Sequence, residues 1–244
     1  VAQEWFENWF DSKYYPILYN NRDYAEAAAF VEHLASYLQL NANDAVVDIA
    51  CGEGRFAAVL ATKAHTVIGV DLSEQRILEA KKLEQDRLHF YVHDMRYPFY
   101  VNYFDYAFNF FTSFGYFATP RDNHMAAAAF ATSLKKGGKL IVDYLNQDVV
   151  LQHLVPQQQM VKQGITFDIT KRLVNTKIVK DIRVTDTDGS IHHFQESVSA
   201  FNLEDFIILF EAAGLKMIEH FGNYQLQPFH KTTSPRLIMI FEKL

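Results

Sequence analysis

VVDIACGEGRFAAVLA, residues 46–61, runs from an unbroken apolar segment through two glycines into a segment of helical period. A strand buried on both faces reads as near-continuous apolarity, and AVVDI (45–49) does so. Gly52 and Gly54 let the backbone turn sharply and approach a ligand, and the helix beyond opens with free N–H groups. Outward from here the pattern repeats, with strand candidates TVIGV (66–70), LHFYV (88–92), FDYAFNF (104–110) and KLIVDYL (139–145). Segments of helical period separate most of them, which predicts a parallel sheet with crossover helices. HMAAAAFATSLKKGG (124–138) reads as one such helix, with Lys135 and Lys136 at its negative end and Gly137 and Gly138 as stop signals.

After Asn146 the texture changes. DVVLQHLV (148–155) predicts a short helix ending near Pro156. ITFDITKRL (165–173), KIVKDIRVT (177–185) and SIHHFQESVSAF (190–201) read as three strands of a small antiparallel sheet, with a turn at Thr187-Asp188-Gly189. Asn202 caps a helix over LEDFIILFEAA, Gly214 stops it, and LKMIEHFG and RLIMIFEKL read as strands. The last is reached by a loop and not a helix, which favours antiparallel pairing. The predicted fold class is α/β, a doubly wound, mostly parallel sheet with an antiparallel last strand and a small antiparallel β insertion. The expected organisation is one domain over 1–244. It has an N-terminal helical lid (1–40), a cofactor-binding core (41–146), the insertion (157–201), and a closing helix and strands (202–244).

Gly52, Gly54 and Ala57 satisfy G-x-G-x-x-G/A, and Asp71 follows Gly52 by 71 − 52 = 19 residues. That is the spacing of a dinucleotide fingerprint, so an NAD(P)-dependent oxidoreductase is a competing reading. Asp48 argues against it. A carboxylate at the strand end repels a pyrophosphate and suits a ligand bearing an ammonium and a sulfonium, as S-adenosylmethionine (SAM) does.

VVDIACGEGRF resembles motif I of the class I SAM-dependent methyltransferases, with Ala50 at the position of the motif's first glycine. VIGVDLS, FYVHDM, FDYAFNFFTSFGYF and LKKGGKLIVDYLN follow in the family's order. The resemblance implies a SAM cofactor, with S-adenosylhomocysteine as product. It implies cofactor contacts from Asp48, Ala50 and Gly52 in the first turn, and from Asp71 and Leu72 at the ribose. Asp94 and Met95 would meet the adenine, and Asn109 would sit nearest the sulfonium. Thr112, Phe114 and Tyr116 are the expected substrate wall. In related small-molecule enzymes a tyrosine-rich N-terminal segment closes over SAM, which makes Tyr14, Tyr19 and Arg22 lid candidates in WFENWFDSKYYPILYNNRDYAEAAAF (5–30). The alternative for that segment is a helix that merely packs aromatic residues over the sheet. The insertion resembles that of small-molecule N-methyltransferases, where it covers the substrate cavity or joins a dimer interface. The acceptor expected is therefore a small molecule methylated at N or O, and a homodimer is one expected arrangement. A noncatalytic SAM-binding module is a further alternative.

Composition narrows the rest. The 29 acidic and 23 basic residues give a net charge of −6, which disfavours a nucleic-acid partner held by its phosphates. Cys51 is the single cysteine, so no intrachain disulfide can form; with no histidine partner evident in sequence and acids around it, it reads as a packing residue. No apolar run approaches the roughly 18 residues of a membrane span. A cytoplasmic protein without a membrane partner is the expectation. The ten histidines show no metal spacing, and no metal is expected. No catalytic residue is assigned, although His124, His193 or His230 could serve as a base.

Overall fold

A computed structural model of the chain describes residues 5–19 and 24–244. Helices α1 (Trp5–Phe10), α2 (Tyr14–Leu18) and α3 (Tyr24–Leu38) come first. Then follow β1 (Ala45–Ile49), α4 (Arg55–Leu60), β2 (Thr66–Asp71), α5 (Glu74–Ala80), β3 (Leu88–Val92), β4 (Phe104–Asn109), α6 (Pro120–Ser133) and β5 (Leu134–Leu145). After α7 (Gln147–Gln152) the chain forms β6 (Gln157–Lys162), β7 (Ile165–Val174), β8 (Lys177–Thr185) and β9 (Ile191–Ser199). It closes with α8 (Leu203–Glu211), β10 (Leu215–Phe221) and β11 (Arg236–Lys243).

Seven strands pair in the order β10-β11-β5-β4-β1-β2-β3, and β11 runs antiparallel to both its neighbours, β10 and β5. The chain winds outward from β1 to β3, then returns to lay β4 on β1's other side. The strand order reverses at β1, so a crevice opens beyond its C-terminal end, where ligands bind in open α/β sheets. Alternate strand residues face opposite layers. Val47, Ile68, Ala107 and Leu140 meet Phe130 of α6 and Phe206 and Phe210 of α8. Val46, Val67, Phe108 and Ile141 meet Phe30 and Leu34 of α3 and Leu60 of α4. The sheet is thus covered on both faces, as its apolar strands require. No described helix is long and apolar enough to cross a membrane.

The second sheet has four antiparallel strands, β6-β7-β8-β9. Sequence patterning finds three of them. It misses β6, QQQMVK, because this edge strand is mostly exposed and carries glutamines where an apolar face would show. A second correction concerns α6, which ends at Ser133, so Lys135 and Lys136 lie in β5 and not in the helix's last turn. The carbonyls of Thr132 and Ser133 accept from the backbone N–H groups of Asn102 and Tyr103 at 2.9 and 3.0 Å, which stops the helix early. Lys135 instead pairs with Asp105 at 2.8 Å. Asn202 caps α8 as expected, in a reciprocal capping box with Asp205.

Trp9, Tyr14 and Tyr15 do not lie on the main sheet. Trp9, Tyr14, Tyr15 and Leu18 form a core with Phe167, Ile169, Ile182 and Val184 of the four-stranded sheet. Trp9, fully buried, donates from Nε1 to Glu196 Oε1 at 2.7 Å and packs on Phe194.

Candidate active site

A cleft of about 400 Å³ opens at the C-terminal ends of β1, β2 and β4 and is closed on one side by α1 and α2. That lies within the range of about 300–1,000 Å³ usual for small-ligand sites. Its floor is the turn after β1. Ala50 and Gly52 both take left-handed backbone angles, φ 59° and 58°. A Cβ on Gly52 would meet nothing nearer than Arg76 Nη1 at 3.6 Å, so this turn is open towards the cleft. Gly54 serves packing instead. A Cβ there would lie 2.5 Å from the Phe90 ring, so only glycine lets β3's Phe90 sit where it does.

Two carboxylates flank this turn. Asp48 is 1% exposed, and its Oδ2 has no hydrogen-bond partner among the described residues. Burial, and then the charge of Asp71, push its carboxyl well above the ordinary carboxylate range. Asp71 accepts from the Gly52 N–H at 2.8 Å and the Ser73 N–H at 2.9 Å, one on each oxygen. Each oxygen keeps a lone pair for another donor. Burial also raises Asp71, partly offset by these two N–H groups. At the far end Asp94 and Met95 line the cleft, and Arg96 forks onto Asp94 through Nε and Nη2, at 2.9 and 2.7 Å from Oδ2. The lining as a whole holds four acids (Asp48, Glu53, Asp71, Asp94) against two arginines (Arg55, Arg76).

The family pattern described as a methyltransferase domain matches residues 46–138, from β1 into the start of β5. That match spans the glycine turn and both flanking carboxylates, Asp48 and Asp71, of the cleft.

Several known proteins resemble the chain. It is 26% identical over 213 residues to dTDP-3-amino-3,4,6-trideoxy-alpha-D-glucopyranose N,N-dimethyltransferase of Streptomyces venezuelae, covering 83% of this chain and 89% of that one. A 59-residue stretch is 42% identical to 23S rRNA (uracil(1939)-C(5))-methyltransferase RlmD of Aliivibrio fischeri, but this spans only 13% of that protein's length. Among solved structures, a SAM-dependent methyltransferase from Clostridium acetobutylicum superposes with a TM-score of 0.79 at 18% identity, covering 94% and 96% of the two chains. SAM-bound CalS10, an amino pentose methyltransferase from Micromonospora echinaspora, does so with a TM-score of 0.69 at 19% identity, covering 96% and 98%. At these identities the superpositions establish the fold.

Of the residues named from sequence, the fold brings Tyr19, Asp48, Ala50, Gly52, Asp71, Leu72, Asp94, Met95 and Tyr116 to the cleft wall. Four others are corrected by the structure. Tyr14 faces the four-stranded sheet, donating to Asp186 at 2.7 Å and packing on His192; its neighbour Tyr15 faces the cleft instead. Asn109 is fully buried and donates from Nδ2 to the Ile49 carbonyl at 2.9 Å, which ties β4 to β1. Thr112 points behind the cleft, where its hydroxyl accepts from Arg236 at 3.1 Å. Phe114 is a core ring among Phe130, Phe206 and Phe210. The last two shifts share a cause: the segment after β4 has left-handed angles at Phe111, Thr112 and Gly115 (φ 56°, 59° and 84°), so it is not the extended chain that simple alternation assumes. Arg22 lies outside the described residues. His124, His193 and His230 are away from the cleft, whereas His93, not singled out from sequence, lines it.

Phe110, Phe111 and Ser113, inside the stretch FDYAFNFFTSFGYF but not named singly from sequence, also line the cleft, as does Arg76, which joins its parts. Arg76 donates from Nε to the Phe10 carbonyl at 3.1 Å, lies over the Tyr15 ring, and approaches Glu53 at 3.8 Å. Ser73 donates to Asp11. The N-terminal segment is thereby fastened to the α5 side of the cleft as well as to the insertion.

Proposed function

We propose that this chain is a SAM-dependent methyltransferase that moves the methyl group to a nitrogen of a small-molecule amine, with amino sugars as the first class to test. The observation that carries the reading is the buried, half-satisfied carboxylate of Asp48, set across an open Gly52 turn from Asp71. In this reading the Asp71 oxygens take the ribose hydroxyls, while Leu72, Asp94 and Met95 bracket the adenine. The Ala50–Gly52 backbone carries the chain onward, and Asp48 faces the cationic methionine end. Arg22 is a candidate partner for the SAM carboxylate. Tyr19 and Tyr116 stand on the acceptor side. A small acceptor is supported by the relative that matches over most of both chains and by the absence of a net cationic charge. The likeness to an rRNA enzyme is confined to a short stretch.

SAM, when bound, supplies a methyl group on a positively charged sulfur that is already a good leaving group. The chain's own residues then have to orient the acceptor and keep water out, which the aromatic walls Phe10, Tyr15 and Phe111 suit. An ammonium acceptor must lose its proton before it can attack. Tyr19 does not act as that base at neutral pH. Its hydroxyl donates to Glu196 Oε1 at 2.6 Å, and burial holds its pKa well above the usual phenol value. It serves as a fixed polar contact, and kcat/KM should track the acceptor's own deprotonation. The test is transfer of a labelled methyl group from SAM to a panel of free and nucleotide-linked amino sugars, small amines, alcohols, RNA and protein. Label in a small amine supports the reading; label confined to RNA or protein overturns it.

A further inference from the structure

Behind the acceptor end of the cleft lies a buried ion pair that sequence patterning does not flag. Asp143, near the end of β5, is fully buried. Its Oδ1 accepts from Arg236 Nε at 2.7 Å. Its Oδ2 accepts from the Phe111 N–H at 2.9 Å and from the Tyr224 hydroxyl at 3.2 Å, and its carbonyl accepts from the Thr112 N–H at 2.8 Å. Arg236, at the start of β11, also donates to the Thr112 hydroxyl at 3.1 Å and lies over the Phe111 ring. Phe111 and Thr112 are consecutive non-glycine residues with φ of 56° and 59°, angles that L-residues with side chains rarely adopt. Both backbone N–H groups of this strained pair are held by one aspartate, and Arg236 fixes that aspartate and one of the two side chains.

We infer that Asp143 and Arg236 are positioning residues that hold the Phe111–Thr112 turn in its left-handed form, and so shape the methyl-transfer end of the cleft. The inference rests on the proposed orientation of SAM, with its methionine end towards the segment after β4. Two buried charges are costly and add little net stability against an apolar pair. Their retention is accounted for by the backbone they pin: without it the turn relaxes to ordinary angles, and Phe111, Ser113 and Tyr116 leave their places on the wall. The nucleoside end is built from β1, β2 and β3 and does not touch this pair.

The test compares S-adenosylhomocysteine with adenosine as calorimetric probes of the full chain. In Asp143→Asn, S-adenosylhomocysteine should bind about tenfold more weakly, the loss expected when charge-assisted hydrogen bonds are removed, while adenosine binds as to the parent. Arg236→Lys, which keeps the charge but loses the fork to Thr112, should show the same selective loss and serves if Asp143→Asn folds poorly. Adding Thr112→Gly to Asp143→Asn should recover part of the affinity, because glycine takes the left-handed angle without help. Parallel loss of both ligands, no loss of either, or no recovery with glycine would overturn the inference. A parent protein that binds adenosine but gains nothing from the homocysteine moiety would instead sink the proposed SAM orientation.

Discussion

At the scale of single residues, Asp48 sets fold stability against ligand recognition. Its neutral form is the one the ligand-free interior tolerates, because burial holds the carboxyl well above its usual pKa. The stability contributed by that proton is complete below the ordinary carboxylate value of about 4 and is lost as pH rises through the elevated folded value. A cationic ligand reverses the preference by favouring the carboxylate, so binding expels a proton. SAM affinity should therefore increase as pH climbs through that same window and then level off. Asp48→Asn should flatten this pH dependence in calorimetry, weaken SAM by about tenfold or more, and raise the melting temperature of the ligand-free protein at neutral pH. An unchanged pH profile in the variant would assign the proton elsewhere. Ala50 shows the reverse balance. Its φ of 59° costs an L-residue about 1–2 kcal/mol, and glycine would lose roughly 0.5–1 kcal/mol of that gain to its freer unfolded state. Ala50→Gly should raise unfolding stability by up to about 1 kcal/mol in urea titrations while leaving SAM binding in place. A destabilised variant would mean that the methyl group does packing work that outweighs the backbone strain.

At the scale of elements, α1 and α2 are attached to the insertion more than to the main sheet. Trp9 is the anchor, and Glu196 ties it and Tyr19 together while pairing with Lys180 at 2.8 Å. Both α1 and α2 are too short to persist alone, since isolated helices below roughly 12–15 residues are marginal in water. Their order derives from tertiary packing. Trp9→Ala removes a fully buried ring, a change that typically costs about 3–5 kcal/mol. The loss should be local. Hydrogen exchange over residues 5–19 should accelerate strongly, SAM should bind more weakly because Phe10, Tyr15 and Tyr19 leave the wall, and β1, β4 and β5 should keep their protection. Uniform acceleration across both sheets would show that the segment is an integral part of the global fold and no lid.

For the whole molecule, the two sheets divide the work. The seven-stranded sheet supplies the floor of the cleft, and the four-stranded sheet carries the helices that close it. Their meeting point includes Lys177 Nζ donating to the Phe117 carbonyl at 2.6 Å and the Tyr144 hydroxyl donating to the Ser199 carbonyl at 2.6 Å. A ligand that touches both sides should stabilise them together. At about 100 times its dissociation constant SAM should add roughly 2.7 kcal/mol. For a chain of this size that is a melting shift of about 5–11 °C in a single transition. NAD at the same concentration should give none. A two-step melt in which SAM protects only the main sheet would show that closure is not coupled to binding.

The chain's order of apolar runs, glycines and acids determined the mostly parallel sheet, its antiparallel last strand and the glycine turn that floors the cleft. Those features are written in local periodicity, and AVVDI and LHFYV coincide with β1 and β3 to the residue. Asp48, Gly52, Asp71, Asp94 and Met95 were legible for the same reason: each sits at or just beyond a strand's C-terminal end, and strand ends converge in an open α/β sheet. What only the tertiary structure decided is where side chains point once the backbone leaves regular structure. The left-handed turn at Phe111 and Thr112 sent Thr112 and Phe114 behind the cleft, and the docking of α2 on the insertion turned Tyr14 away and Tyr15 inward. Neither outcome has a periodic signal. Both depend on partners far along the chain, Asp143 and Arg236 for one and Asp186 and Phe194 for the other, and such pairings come into being only when the chain folds back on itself.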